Sequence, residues 1–228
     1  MTSFTLTKSG RTLLMLTTVF AVGAVFWIGC GKDDNPSGGG NNTFVKNTCT
    51  SAGSCKTVVI GSQTWMAENL NIASGNSWCY DDKPDGCKKY GRLYDWETAK
   101  TVCPTGWKLP DTSDWNKLVR EVGDTVAGTK LKSARGWRDD WNGTDDYGFS
   151  ALPGGGRFLY CEHGFDDEEC EWYFDDAVGY GEWWTATEYH LDSERRAWQW
   201  YLSFVESGGL THDDKSFGLS VRCVLDVD

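Results

Sequence analysis

The residues best suited to covalent chemistry are the nine cysteines, and the first of them stands apart from the rest. Cys30 follows Ile28-Gly29 at the end of a stretch, Thr12 to Gly31, that carries no charge, with Lys8 and Arg11 just before it. A basic start, an apolar middle and a small residue before a cysteine make up a secretory signal of the lipoprotein type. Ile28-Gly29-Cys30 resembles the end of a bacterial lipobox, where cleavage frees a cysteine that then takes a diacylglycerol; Trp27 stands where Leu is usual. Twenty uncharged residues also suit an uncleaved membrane anchor. Either reading exports the rest of the chain. Gly31-Lys32-Asp33-Asp34 resembles the signal that sends some Gram-negative lipoproteins to the outer face of the outer membrane. The expected organisation is a signal peptide over 1–29, a flexible Gly-, Ser- and Asn-rich tether over 30–48, and one domain over 49–228.

In an oxidising compartment the other eight cysteines are expected to pair. Cys49 and Cys55 flank Gly53, Cys79 and Cys87 enclose a turn at Lys83-Pro84-Asp85-Gly86, and Cys161 and Cys170 bracket an acidic loop. Those three pairs are local, which leaves Cys103 and Cys223 to close the long loop. Zinc is the competing chemistry for clustered thiols. It is disfavoured because no pair of C-x-x-C knuckles occurs and His163, His190 and His212 are scattered.

Non-covalent recognition would fall to aromatics and acids. Thirteen Trp suit either a rigid aromatic core or platforms that stack on flat ligands such as sugar rings. Two loops hold both residue types. One runs from Gly136 to Tyr147 with Trp137, Asp139, Asp140, Trp141, Asp145 and Asp146; the other runs from Cys161 to Asp176 with Trp172 and Tyr173. In such loops aromatics stack on sugars, while acids bind hydroxyls or help to hold calcium, which needs six to eight oxygen ligands. The same residues also suit side chains packed beneath the loops with the acids merely solvated.

These groups need a scaffold. Thr57 to Leu70 reads as a hairpin turning at Gly61-Ser62, and Tyr94 to Val102 has helical composition up to Pro104. Asp111 or Thr112 is placed to cap a helix on which Trp115, Leu118, Val119 and Val122 recur at helical spacing before Gly123. A third short helix is expected over Gly128 to Ala134. Strands follow among long Gly-rich loops: Trp183 to Thr187, the alternating run Trp198-Gln199-Trp200-Tyr201-Leu202 with one face buried, and Leu219 to Leu225. Two or three early helices and late antiparallel strands describe a disulfide-stapled α+β domain.

Several motifs carry a resemblance. Gln63-Thr64-Trp65-Met66-Ala67-Glu68-Asn69-Leu70, Tyr90-Gly91-Arg92-Leu93-Tyr94-Asp95-Trp96 and Cys103-Pro104-Thr105-Gly106-Trp107-Lys108-Leu109-Pro110 resemble the Fibrobacter succinogenes major paralogous domain. So do Leu131-Lys132-Ser133, Tyr147 to Gly155, Trp183-Trp184 and Ser220-Val221-Arg222-Cys223-Val224. The resemblance implies an exported, often lipid-anchored protein with a C-type-lectin-like fold, in a family with no established general activity.

Function classes narrow accordingly. Without Lys8 and Arg11, 20 basic residues face 33 acidic ones, a balance that repels phosphate backbones and excludes nucleic acid as a natural partner. No G-x-S-x-G, Walker loop or H-E-x-x-H occurs. Lys108-Leu109-Pro110 and Arg222-Cys223 are also similar to the formylglycine-generating enzymes, but that chemistry needs a reactive cysteine pair near the C-terminus, and Cys223 is assigned to Cys103. A glycosidase carboxylate pair stays open, since sequence supplies no distances. The Glu-Pro-Asn or Gln-Pro-Asp triplet of calcium-type lectins is missing, so no cofactor is expected, calcium being the one alternative. The expectation is a binding or adhesion module for polysaccharide or another surface ligand, tethered through Cys30, with an envelope assembly role as the alternative.

Overall fold

A two-residue turn opens the domain. In the computed structural model, which describes residues 55–161, 170–175, 177–191, 195–204 and 208–226, β1 (Thr57–Ile60) pairs antiparallel with β2 (Gln63–Met66). Gly61 takes φ +59° at the turn, a conformation open to glycine at little cost. The export segment, the tether, Cys30 and Cys49 lie outside the described residues; Cys55 is disulfide-bonded.

The next segment departs from the sequence reading twice. After β3 (Ser77–Trp78), the expected turn at Lys83-Pro84-Asp85-Gly86 is instead the start of α1 (Pro84–Tyr90), because Pro84 at the first helical position has its φ preset and needs no N–H partner. The helix expected over Tyr94 to Val102 shrinks to α2 (Trp96–Ala99). Leu93–Tyr94 forms β4, paired with β3, while the Asp95 carboxylate accepts from the Thr98 N–H at 2.8 Å and so starts the helix late.

Beyond β5 (Trp107–Lys108), α3 (Thr112–Val122) forms where the periodicity places it. Asp111 and Asp114 make a reciprocal capping box, and Gly123 at positive φ ends the helix. The apolar face buries Trp115, Leu118 and Val122. A short α4 (Ala127–Leu131) follows, so the described residues hold four α-helical segments against the two or three expected.

Strands make up most of the remainder: β6 (Gly156–Cys161), β7 (Cys170–Asp175), β8 (Gly181–Tyr189), β9 (Arg196–Leu202), β10 (Gly209–Asp214), β11 (Leu219–Ser220) and β12 (Val224–Leu225). They form a four-stranded sheet in the order β1-β2-β12-β5, a six-stranded sheet in the order β10-β9-β8-β11-β4-β3, and the hairpin β6-β7. The single strand expected from Leu219 to Leu225 is therefore two, one in each sheet, with buried Val221, Arg222 and Cys223 crossing between them. The expected one-sided burial of β9 also needs correction. Ala197 and Gln199 are as buried as Trp200 and Leu202, because β9 is an interior strand covered on both faces.

Two aromatic clusters fill the core. In one, α3 presses Trp115 onto Trp200 with ring centroids 4.5 Å apart and onto Trp65 at 4.8 Å. The other gathers Tyr94, Trp96, Trp184 and Leu219. The heavy Trp usage is thus mainly core packing: Trp65, Trp96, Trp115, Trp183, Trp184 and Trp200 are all fully buried. Bridges Cys79–Cys87, Cys103–Cys223 and Cys161–Cys170 staple this arrangement. Mostly strands, few short helices and three described disulfides summarise the architecture. Among the described residues no helix is long and apolar enough to cross a membrane.

Candidate functional site

The loop from Gly136 to Tyr147 does not present its aromatics as a platform. Trp137 is buried, its indole N–H donates to the Ala151 carbonyl at 3.0 Å, and the Lys132 ammonium sits 5.2 Å from its ring. Trp141 is half-buried against the core and packs on Phe204 at 5.4 Å. The acids diverge as well. Asp139 and Asp140 are exposed, while Asp145 turns inward to accept from the Ser150 N–H at 2.7 Å and from the Ser150 hydroxyl. Asp146 is exposed, with its backbone N–H bonded to the Lys130 carbonyl. Among the described residues no three His, Cys, Asp or Glu side chains converge as a cation would require.

The second loop fares differently. Residues expected as an irregular excursion form the hairpin β6-β7, with Cys161 and Cys170 facing each other in register and bridged. Residues 162–169, five of them acidic, and Asp176 lie outside the described residues. On the hairpin Trp172 and Tyr173 are 41% and 42% exposed, and Tyr160 is 61% exposed. Their backing is specific. The Arg157 guanidinium lies between two indoles, 4.3 Å from the Trp78 ring and 4.0 Å from the Trp172 ring. Phe158 meets Tyr173 at 5.9 Å and Phe217 at 5.3 Å. Burial lowers the Arg157 pKa while the Asp82 charge opposes the shift; burial likewise raises the Tyr173 pKa, with Asp175 and Glu182 adding to it. Sequence reasoning missed Tyr160 and Arg157, though the alternation Phe158, Tyr160 before Cys161 was the available signal.

From the hairpin a line of rings leads to a cleft. Phe174 packs on Tyr80 at 5.5 Å, and Tyr80 packs edge-on against Tyr90 at 6.1 Å. Tyr90 lines a cleft of about 920 Å³ together with Lys56, Asn69, Asn71, Lys89 and Asp145. Beneath its floor lies Arg222, which is fully buried. Its guanidinium donates to Asn69 Oδ1 at 3.1 and 2.7 Å and to the carbonyls of Phe149 and Ser150, and it lies 4.3 Å from the Phe149 ring. Burial pushes the Arg222 pKa down to about 9, with Asp145 and Glu68 pulling it back up, so the group stays charged at neutral pH. Asn69 completes the floor by accepting from the Trp183 indole at 2.8 Å and donating to the Tyr90 carbonyl at 2.9 Å and the Ser220 hydroxyl at 3.3 Å. Neither Asn69 nor Arg222 stood out as a site residue in the sequence, since their meeting depends on long-range folding.

One comparison bears on this arrangement. The family model of the Fibrobacter succinogenes major domain matches residues 58–225, a span that holds the hairpin β6-β7, both sheets but for Thr57, and the cleft lining from Ala67 onward. No curated protein and no solved structure matches the chain. The matched span covers most of the 228 residues, and the chain belongs to the Fibrobacter succinogenes major domain family.

Proposed function

We propose that this chain is a lipid-anchored binding module of the outer membrane, facing the cell exterior, which holds polysaccharide or another glycan-bearing surface without catalysing a reaction on it. The observation that carries the reading is the exposure of three aromatics on a hairpin closed by a disulfide, Tyr160 and Tyr173 on one face and Trp172 on the other. Exposed aromatics cost solubility and are commonly kept for contact. Arg157, wedged between Trp78 and Trp172, and Phe158, packed on Tyr173, hold two of those rings before a ligand arrives, which lowers the ordering cost of binding. A C-type-lectin-like assignment for the fold belongs to the same proposal: the C-terminal strand β12 closes onto the N-terminal hairpin and Cys103–Cys223 ties the two halves. The anchor rests on Cys30 and its lipobox-like approach.

Retention of the full-length, detergent-solubilised chain on insoluble polysaccharides and peptidoglycan tests the reading. Replacing Trp172 and Tyr173 together by Ala should weaken retention by about tenfold, since each stacked ring contributes about 0.5–1.5 kcal/mol. A wild-type chain that passes through every such matrix, yet cross-links to envelope proteins on intact cells, would move the assignment to an assembly role. Palmitate label that fails to enter through Cys30 would remove the anchor.

A further inference from the structure

A chain with net charge -11 has little reason to gather cations, yet three lysines, Lys56, Lys88 and Lys89, line the cleft beside Tyr90. Their present partners hold them loosely. Lys56 pairs with Glu68 and Lys88 with Asp85, both at 2.8 Å, and every side chain in these two pairs is more than half exposed. Such ion pairs are weak and exchange readily for another anion. Lys89 holds its ammonium 4.6 Å from the Tyr90 ring and pairs with no carboxylate among the described residues.

The negative groups in the cleft are largely spoken for. Asp145 accepts two hydrogen bonds from Ser150 and is the main charge acting on buried Arg222. Glu68 also lines the cleft and is held by Lys56, so the groups left facing the space are Lys88, Lys89 and the amide of Asn71. Asn71 is exposed, and its Nδ2 donates to the Cys87 carbonyl at 3.1 Å, which orients the amide and leaves its Oδ1 without a partner among the described residues. A side-chain amide suits sugar hydroxyls, because it both donates and accepts. A volume of about 920 Å³ lies within the roughly 300–1,000 Å³ of small-ligand sites.

We infer that this cleft binds an anionic sugar unit, with Lys88 and Lys89 meeting its charge and Asn71 its hydroxyls. The inference rests on the glycan-binding reading above and adds the chemical class of the ligand. The ring contacts Phe174–Tyr80–Tyr90 run from the hairpin face that carries Trp172 to the wall of the cleft, with Tyr90 itself buried. The shared chemistry is a sugar bearing a negative charge, supplied either by a carboxylate or by a phosphate.

Calorimetric titration of the full-length chain in detergent with digalacturonate, glucose 6-phosphate and neutral cellobiose separates these sources. The expected result is binding of at least one anionic sugar over cellobiose, weakening with added salt. Lys88→Ala combined with Lys89→Ala should reduce that binding by roughly tenfold or more, and Asn71→Ala by a smaller factor. These side chains are exposed, so an unchanged melting temperature serves as the folding control. Failure of both anionic sugars to bind, or binding that the lysine variant leaves within about twofold, overturns the inference. If that happens while neutral polysaccharide still retains the chain through Trp172 and Tyr173, only the cleft assignment falls. If the anionic sugar binds through the lysines while the hairpin variant changes no retention, the cleft stands and the hairpin reading falls.

Discussion

Arg222 and Asn69 stand 153 positions apart in the chain, yet the Arg222 Nη2 donates to Asn69 Oδ1 at 2.7 Å beneath the cleft. The pair joins the end of the N-terminal hairpin to the crossing between the two sheets. Its energetic logic is that of a buried charge, stabilising only while its donors are met. Removing the acceptor should be severe: Asn69→Ala strips Arg222 of its side-chain partner and the Trp183 indole of its acceptor, at a cost of about 3–5 kcal/mol. Asn69→Asp keeps the acceptor and loses the donors to Tyr90 and Ser220, so its cost should be nearer 1–3 kcal/mol, about that of one or two lost neutral bonds. Urea unfolding that ranks the two variants the other way would refute this account of the hub.

The disulfides should differ in weight. Cys103–Cys223 spans 120 positions, and closing so long a loop removes about 5 kcal/mol of unfolded-state freedom in the chain-entropy account. Cys161–Cys170 spans 9 positions and should contribute about half as much. Paired Cys→Ser variants of each bridge, compared by chemical denaturation, check the order; equal losses would contradict it.

A third prediction concerns pH. Gln199 Nε2 lies between two carboxylates, donating to Asp213 at 2.9 Å and to Glu182 at 3.3 Å. Burial raises the pKa of Asp213 above 3.8, although the Gln199 hydrogen bond works against the shift. The folded state therefore binds this proton more tightly than the unfolded chain. The stability that follows is fully present below pH 3.8 and is lost as pH rises through the elevated folded value. Asp213→Asn should accordingly raise stability at neutral pH, and the advantage should vanish below about pH 4. Melting curves taken at neutral and acid pH read both halves of the expectation.

Local signals explain what was legible in the sequence. The helix Thr112–Val122 was readable because Asp111, the spacing of Trp115, Leu118 and Val122, and Gly123 all act within a few residues of one another. The hairpin at Gly61-Ser62 and the two short described bridges, Cys79–Cys87 and Cys161–Cys170, were readable for the same reason, and Cys103–Cys223 by remainder. Family membership followed from motifs that persist in order along the chain. Tertiary structure alone decided which aromatics face solvent. Trp137 and Trp172 sit in similar acid-flanked sequences, yet one is sealed beneath Ala151 and the other stands on an outer hairpin. Residue type sets how much apolar surface a side chain has, but burial depends on which distant segments arrive to cover it. The cleft obeys the same physics: Asn69, Lys89, Asp145 and Arg222 come from four separate parts of the chain, and only closure of the two sheets brings them together.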